Sequence, residues 1–356
     1  MHIPDGYLSP STCATLYAAA AAGWYAALKS SKRLLLSRTI PLISVFAAFS
    51  FVVMMFNLPL PGGTTGHALG VTIAAIVLGP SGAVLAISIA LAIQALFFGD
   101  GGISTLGANC FNMAILGSLV SYFSYRAIAA GSALSSRRRV VAAGIAGYLA
   151  VNVAALAAAV EFGIQPMLFH DANGTPLYAP YPLHIAVPTM MIGHLAVAGV
   201  AEAVIAAGLV AYLQVADPGL LNNAAGAGRS IISQDAGSPR SLRRLWITVA
   251  LLMLLTPLGI LAAGKAWGEW SPAVFADENA RAQVTSVSQG QPPPTSPPQG
   301  MRRLSTLWTA PFPDYAPKYV KSSSFGYLLS AMFGVGVLIL LSQCVQSWVR
   351  HRRETP

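Results

Sequence analysis

Hydrophobic positions in this chain come in long runs separated by short polar stretches. Apolar stretches long enough to cross a bilayer as α-helices, about 17 to 25 residues, fall near 11–28, 40–57, 108–125, 139–162, 184–213, 245–264 and 325–349. A further run, 68–98, is interrupted by Gly79-Pro80-Ser81-Gly82, which predicts two short helices joined by a turn. The pattern predicts an all-α fold, a polytopic membrane helix bundle of about nine transmembrane helices.

The positive charges decide how 68–98 is counted, because short cytoplasmic loops carry the Lys and Arg. Lys29, Lys32, Arg33 and Arg38 follow the first span and place the N-terminus outside; Arg126, Arg137, Arg138 and Arg139 follow the span at 108–125 and must also be inside. An even number of crossings is needed between the two clusters, so 68–98 counts as two. In that register the loop with His170 and Asp171 is outside, Arg229, Arg240, Arg243 and Arg244 are inside, and the tail Arg350-His351-Arg352-Arg353 is cytoplasmic. Positive charge precedes no part of the first span, which argues against a cleaved signal peptide.

Composition agrees. With 55% hydrophobic and 9% charged residues among 356, there is too little charge to cover a soluble globule. The net charge of +9 is a topology signal rather than a sign of nucleic-acid binding. Cys13, Cys110 and Cys344 all lie within or beside apolar runs, so they read as packing residues and not as a disulfide framework or thiolate cluster.

The candidate chemistry lies at the start, Met1-His2-Ile3-Pro4-Asp5-Gly6-Tyr7. His2 is large, so the initiator Met is expected to be retained. A free terminal amine, the amide nitrogen of residue 2 and Nδ1 of a second-position His can close fused five- and six-membered chelate rings on one metal. A fourth nitrogen would complete a square, and His67, in the loop Pro61-Gly62-Gly63-Thr64-Thr65-Gly66-His67, is the best-placed candidate on the same predicted side. Square-planar nitrogen sites favour Ni(II) or Cu(II). Taken alone, His2 also reads as an ordinary residue on a frayed terminus. Pro4 stiffens the approach, and Asp5-Gly6 predicts a tight turn.

Further along, Ala14, Ala18, Ala22 and Ala26 form a small-residue stripe of the kind that lets membrane helices approach closely. Phe98-Gly99-Asp100-Gly101-Gly102-Ile103-Ser104, followed by Asn109 and Asn112, reads as a second shell around the ligands. His184, His194 and Glu202 lie in the seventh span, where helix–helix contacts explain them as well as metal passage does. The loop from about 265 to 324 holds Ala266-Trp267-Gly268-Glu269-Trp270, a Pro-rich run at 291–298 expected to be a flexible spacer, and Pro311-Phe312-Pro313-Asp314-Tyr315. The two aromatic motifs are candidates to dock on the membrane surface or on the first module.

The opening Met1-His2-Ile3-Pro4-Asp5-Gly6-Tyr7-Leu8-Ser9-Pro10 and the Gly-Gly-Thr-Thr-Gly-His-Ala-Leu-Gly stretch at 62–70 resemble the CbiM/NikM family, substrate-capture subunits of energy-coupling-factor (ECF) transporters for nickel and cobalt. The resemblance covers about residues 1–220 and implies metal ligands at Met1, His2 and His67. The last part, 245–356, resembles the two-span CbiN/NikN-like component, without its Pro-Asp-Gly-Leu-Glu signature in the outer loop, and 221–244 reads as a cytoplasmic linker. The resemblance implies a multi-pass protein of the cell inner (plasma) membrane, with Ni(II) or Co(II) as transported substrate and no organic cofactor. It also implies partners, a transmembrane coupling (T) subunit and ATPase subunits. The chain has no Gly-x-x-x-x-Gly-Lys-[Ser/Thr] phosphate loop of its own, and the alanine stripe is one place partners could dock.

Two rivals remain. A membrane metalloprotease would need a motif such as His-Glu-x-x-His, which does not occur, and an open metal position. A proton-coupled secondary transporter would need carboxylates in the spans, where only Glu202 and Glu161 stand out. The ligand types suit nickel and cobalt alike.

Overall fold

In the computed structural model, residues 1–30, 39–61, 63–225, 239–262, 265–317 and 319–354 are described. Lys32, Arg33, Arg38, Arg229 and most of the proposed linker lie outside the described residues. The described chain is helical apart from one small hairpin, β1 (Leu58–Leu60) paired antiparallel with β2 (Thr64–Gly66). Six helices are long and apolar enough to cross a membrane: Val71–Phe98, Leu106–Ala129, Arg137–Leu168, Leu183–Ala216, Leu242–Leu261 and Ser323–Val349. Helix α1 (Pro10–Ser30) is long but alanine-rich and falls outside that set, and α2 (Ile40–Met54) is apolar but shorter.

Helix α3 (Val71–Ile93, continued as a π-helical turn Gln94–Phe98) is two limbs. Gly79 sits at φ 76°, ψ 171°, a conformation that ends one helix before Pro80 starts the next. The second limb runs back along α1. Ser81 Oγ is 2.5 Å from Ser30 Oγ, the Trp24 indole donates to Ser88 Oγ at 2.9 Å, and the Tyr17 hydroxyl donates to the Ile103 carbonyl. His67 before the first limb and Asp100 after the second both touch His2. The chain therefore leaves the site after His67, turns at Gly79-Pro80 and returns. The first limb has only eight residues, about 12 Å of helix and too short for a full span. Its reach depends on residues 64–70, every one of them buried.

Beyond these lie α4 (Leu106–Asn109), running through a π-helical stretch Cys110–Leu116 into α5 (Gly117–Ala129), then α6 (Arg137–Leu168), α7 (Leu183–Gly193) and α8 (Gly199–Ala216). The stripe Ala14, Ala18, Ala22 and Ala26 on α1 is exposed in this chain. The buried small-residue stripe is on α6, where Ala142, Ala146, Ala150, Ala154 and Ala158 recur every fourth residue, and α8 comes close to the same helix at Gly144 and Gly147. Cys13 and Cys110 are buried as a packing role requires; Cys344 is exposed, and all three are free.

The C-terminal part consists of α9 (Pro239–Leu255), short helices α10 (Pro272–Ala276), α11 (Glu278–Val287) and α12 (Gln299–Leu304), and α13 (Ser323–Glu354). The Pro-rich run does not behave as a spacer. Pro293 and Pro298 are buried, and Trp267, Trp270, Phe275, Val284 and Met301 form one core with Ile3, Tyr7 and Leu8. The cap's share of this core comes from Trp267, Trp270, Phe275 and Val284 before the prolines and Met301 after them. The segment 265–317 is thus a packed cap over the N-terminus.

Candidate metal site

Residues 1–9 are threaded inward rather than frayed. The Ile3 amide donates to Asn109 Oδ1 at 2.8 Å, and its carbonyl accepts from Gly102 N at 3.0 Å, from Asn109 Nδ2 at 3.1 Å and from the Thr105 hydroxyl. The Asp5 carboxylate accepts from the amides of Ile103 at 3.1 Å and Ser104 at 2.7 Å. Gly101 must be glycine here. It sits at φ 80°, and a Cβ would lie 2.8 Å from Asn109 Nδ2. The cap adds the Tyr7 hydroxyl, which donates to the Trp270 carbonyl at 2.8 Å and accepts from the Trp270 amide at 3.0 Å.

These contacts bring the three sequence candidates together. His2 and His67 are 1% and 5% exposed. His67 Nδ1 donates to the Ala68 carbonyl at 3.0 Å, which leaves the Nε2 lone pair aimed at His2 Nδ1, 3.2 Å away. The Met1 amine lies in the same pocket, 3.4 Å from Glu269 Oε1. Imidazole nitrogens about 2 Å from one ion and at right angles around it would be about 2.8 Å apart, so the pair needs to close by only a few tenths of an ångström. Among the described residues no three His, Cys, Asp or Glu side chains converge on a metal position. A site here draws on the terminal amine and the main chain.

Burial sets the charge state. It is the main cause pushing His2 down to about 4, and with His2 and the terminal amine nearby it holds His67 well below the usual histidine range. Both rings are neutral at neutral pH, and His67 Nε2 keeps a lone pair free to ligate. Asp100 Oδ1 lies 3.1 Å from His2 Nδ1, and burial raises Asp100 to about 6. With His2 this low, that contact is a neutral N–H donating to a carboxylate and not an ion pair. Burial likewise raises Glu269, with the amine opposing it.

The proposed second shell divides. Asp100 and Asn109 hold His2 and Ile3, whereas Asn112 donates to Glu161 at 2.9 Å. Glu202 positions the His67 loop: it accepts from Leu69 N and Gly70 N at 2.8 Å each and from Thr72 N at 3.3 Å, capping the exposed donors of the first limb. His194 bonds Met190 O through Nδ1 at 2.8 Å, and His184 is exposed. Sequence reasoning did not assign Glu269 or Tyr315 to the site, because each arrives from more than two hundred residues away. Their only signal was the aromatic motifs containing them. A cavity of ≈ 490 Å³ between cap and bundle reaches His67, Asp100, Glu269 and Tyr315.

The architecture is that of a membrane protein, a bundle of apolar helices with a buried nitrogen cluster beneath a cap. The model of the cobalt uptake substrate-specific transmembrane region, CbiM, matches residues 2–220, and the PDGLE domain model matches 243–351 despite the missing signature. The chain belongs to the CbiM family, with a PDGLE (CbiN-like) module fused behind it. It is 52% identical over 339 residues to a fused nickel transport protein, NikMN, of Rhodobacter capsulatus, covering 95% of each chain. It is 33% identical over 278 residues to a cobalt transport protein, CbiM, of Geobacter sulfurreducens, covering 76% of this chain and 74% of that one. A crystal structure of a transition metal transporter, 50% identical, superposes with a TM-score of 0.57 over 60% of this chain and 92% of that one.

Proposed function

We propose that the chain captures Ni(II) or Co(II) at the outer face of the cell inner membrane and delivers it inward as the substrate-specific component of an ATP-driven ECF-type importer. The observation that carries this reading is the 3.2 Å approach of His67 Nε2 to His2 Nδ1 in the pocket that also holds the Met1 amine. Met1 N, the His2 amide nitrogen, His2 Nδ1 and His67 Nε2 supply four nitrogens, and a square of nitrogens suits Ni(II). Nickel is also the metal named for the Rhodobacter relative. Domains are taken as 1–220 for capture, 221–244 as linker and 245–356 as the fused module. The topology is nine passes, with the N-terminus outside and the C-terminus cytoplasmic. The ATPase and T subunits are separate chains, and the exposed alanine stripe of α1 offers them a smooth face.

Metal analysis of purified protein after competition between Ni(II) and Co(II), in wild type and His2→Ala, tests the site and the preference. Full occupancy of His2→Ala would overturn the site. Transport with and without ATPase partners tests the energy source; undiminished transport without them favours the proton-coupled alternative.

A further inference from the structure

Two buried polar atoms beside the site close no hydrogen bond, His2 Nε2 and Gln94 Oε1. Their surroundings show what joins them. Gln94 opens the π-helical turn Gln94–Phe98, a local widening that re-aims a side chain and is often found at functional positions. The Gln94 amide nitrogen is 3.0 Å from the Tyr315 hydroxyl and 3.4 Å from Asp100 Oδ2, and the Tyr315 hydroxyl is 2.6 Å from Asp100 Oδ2. The phenol has one proton, and it goes to the carboxylate at the shorter distance. The group facing the phenol oxygen must therefore be the amide NH₂, which fixes Gln94 with its oxygen as the free end. That oxygen is without a partner, as is His2 Nε2, and Asp100 sits between the two residues, its Oδ1 3.1 Å from His2 Nδ1 and its Oδ2 3.4 Å from the Gln94 amide nitrogen.

Tyr315 holds this arrangement at a cost. Asp314 and Tyr315 have φ of 54° and 59°, the left-handed region that residues with a Cβ rarely occupy. Tyr315 also stacks on Phe98, with ring centroids 4.7 Å apart.

Without metal, the His2 proton sits on Nδ1, facing Asp100 and His67 Nε2. Metal needs that same nitrogen. The loaded ring is then a neutral imidazole with its proton on Nε2, and a buried N–H there requires an acceptor. We infer that Gln94, clamped by Tyr315 of the fused module, is the acceptor for His2 Nε2–H in the loaded protein and fixes His2 as an Nδ1 ligand. One proton leaves Nδ1 and one is held at Nε2, so the ring stays neutral. Gln94 and Tyr315 are positioning residues, and the role given to them rests on the chelate reading above.

The test uses the full chain in detergent with Ni(II) as probe. Gln94→Met keeps length and removes the acceptor; Gln94→Glu keeps an acceptor. Gln94→Met is expected to bind about 10- to 100-fold more weakly, and Gln94→Glu to recover to within about threefold of wild type. Tyr315→Phe is expected to lose about tenfold alone and little more in the Gln94→Met background, since both act through one bond. Proton–nitrogen NMR of histidine-labelled, diamagnetic square-planar Ni(II) protein should show His2 protonated at Nε2, with that N–H proton shifted downfield by its hydrogen bond in wild type and upfield of this position in Gln94→Met. Equal weakness of Gln94→Glu and Gln94→Met, or wild-type affinity in Gln94→Met while His2→Ala does not bind, would overturn the role of Gln94 alone. Wild-type affinity in His2→Ala would overturn the chelate reading together with it.

Discussion

The buried Glu202 carboxylate, in the first turn of α8, accepts from the backbone amides of both Leu69 and Gly70 at 2.8 Å and so anchors the loop that carries His67. Gly70 sits at φ 66° with the Phe49 ring where a Cβ would go, which leaves the loop no other way to turn into the first limb. Removing the carboxylate strands three buried N–H groups at about 1 to 3 kcal/mol each. Glu202→Ala is therefore expected to lose about 3 kcal/mol or more of stability, and Glu202→Gln, which keeps one acceptor, less. Denaturant unfolding in detergent measures both, and a change below 1 kcal/mol in Glu202→Ala would show that the loop does not depend on this anchor.

The chelate is sensitive to register. Inserting one Ala between Met1 and His2 places an extra peptide between the amine and the imidazole and breaks the fused rings. Isothermal titration with Ni(II) is expected to show at least about a 100-fold loss of affinity, two of the tenfold steps of about 1.4 kcal/mol each. His2→Ala should leave almost nothing and His67→Ala a weaker three-nitrogen fragment with a changed absorption spectrum. A harmless His67→Ala would move the fourth ligand elsewhere.

Proton release reports on the same ligands. On the proposed chelate, binding would expel a proton from the amine and one from the His2 amide, and each would make affinity fall about tenfold per pH unit. The imidazoles add none near neutrality, because burial already holds His2 at about 4 and His67 well below its usual range. Affinity should thus fall by about 100-fold per unit while the amine carries its proton, and a steeper slope would mean that a histidine is charged before metal arrives. For the metal-free fold the sign is also set. His2 is depressed in the folded state, so its contribution is present above the unfolded value near 6.5 and lost as pH falls toward 4, about 3 kcal/mol in all. Asp100, raised to about 6, works in the opposite direction and softens the decline. Thermal melts from pH 7.5 to 4.5 measure the net slope.

The topology is checked with single cysteines in a Cys344→Ser background. Ala172→Cys and Arg303→Cys should react with an impermeant maleimide added outside, and Ser135→Cys only after the membrane is opened. Outside labelling at 135 would break the even crossing count between the first two basic clusters.

The N-terminal motif and its meeting with His67 were legible because chelate geometry is local and the charge map placed both on one side. Breakers at Gly79-Pro80 announced the turn in 68–98, but not that the first limb is eight residues long, since the depth of 64–70 depends on Glu202 in another helix. The cap was half legible: docking of the aromatic motifs on the first module was one of two expectations, and its depth was not. Trp267, Trp270 and Met301 read as loop residues until Ile3, Tyr7 and Leu8 supply the other half of their core. The stripe of alanines seen on α1 was real in spacing, while a stripe that is buried within this chain is on α6.

The shared core of the cap and the first nine residues has a kinetic meaning. On the proposed chelate an ion would lie behind Tyr7, Trp270 and Met301, so loosening those contacts is expected to speed both its entry and its escape. The fused module would then set residence time, and a variant that loosens the Tyr7–Trp270 pairing is expected to exchange its ion faster with the proposed ligands unchanged.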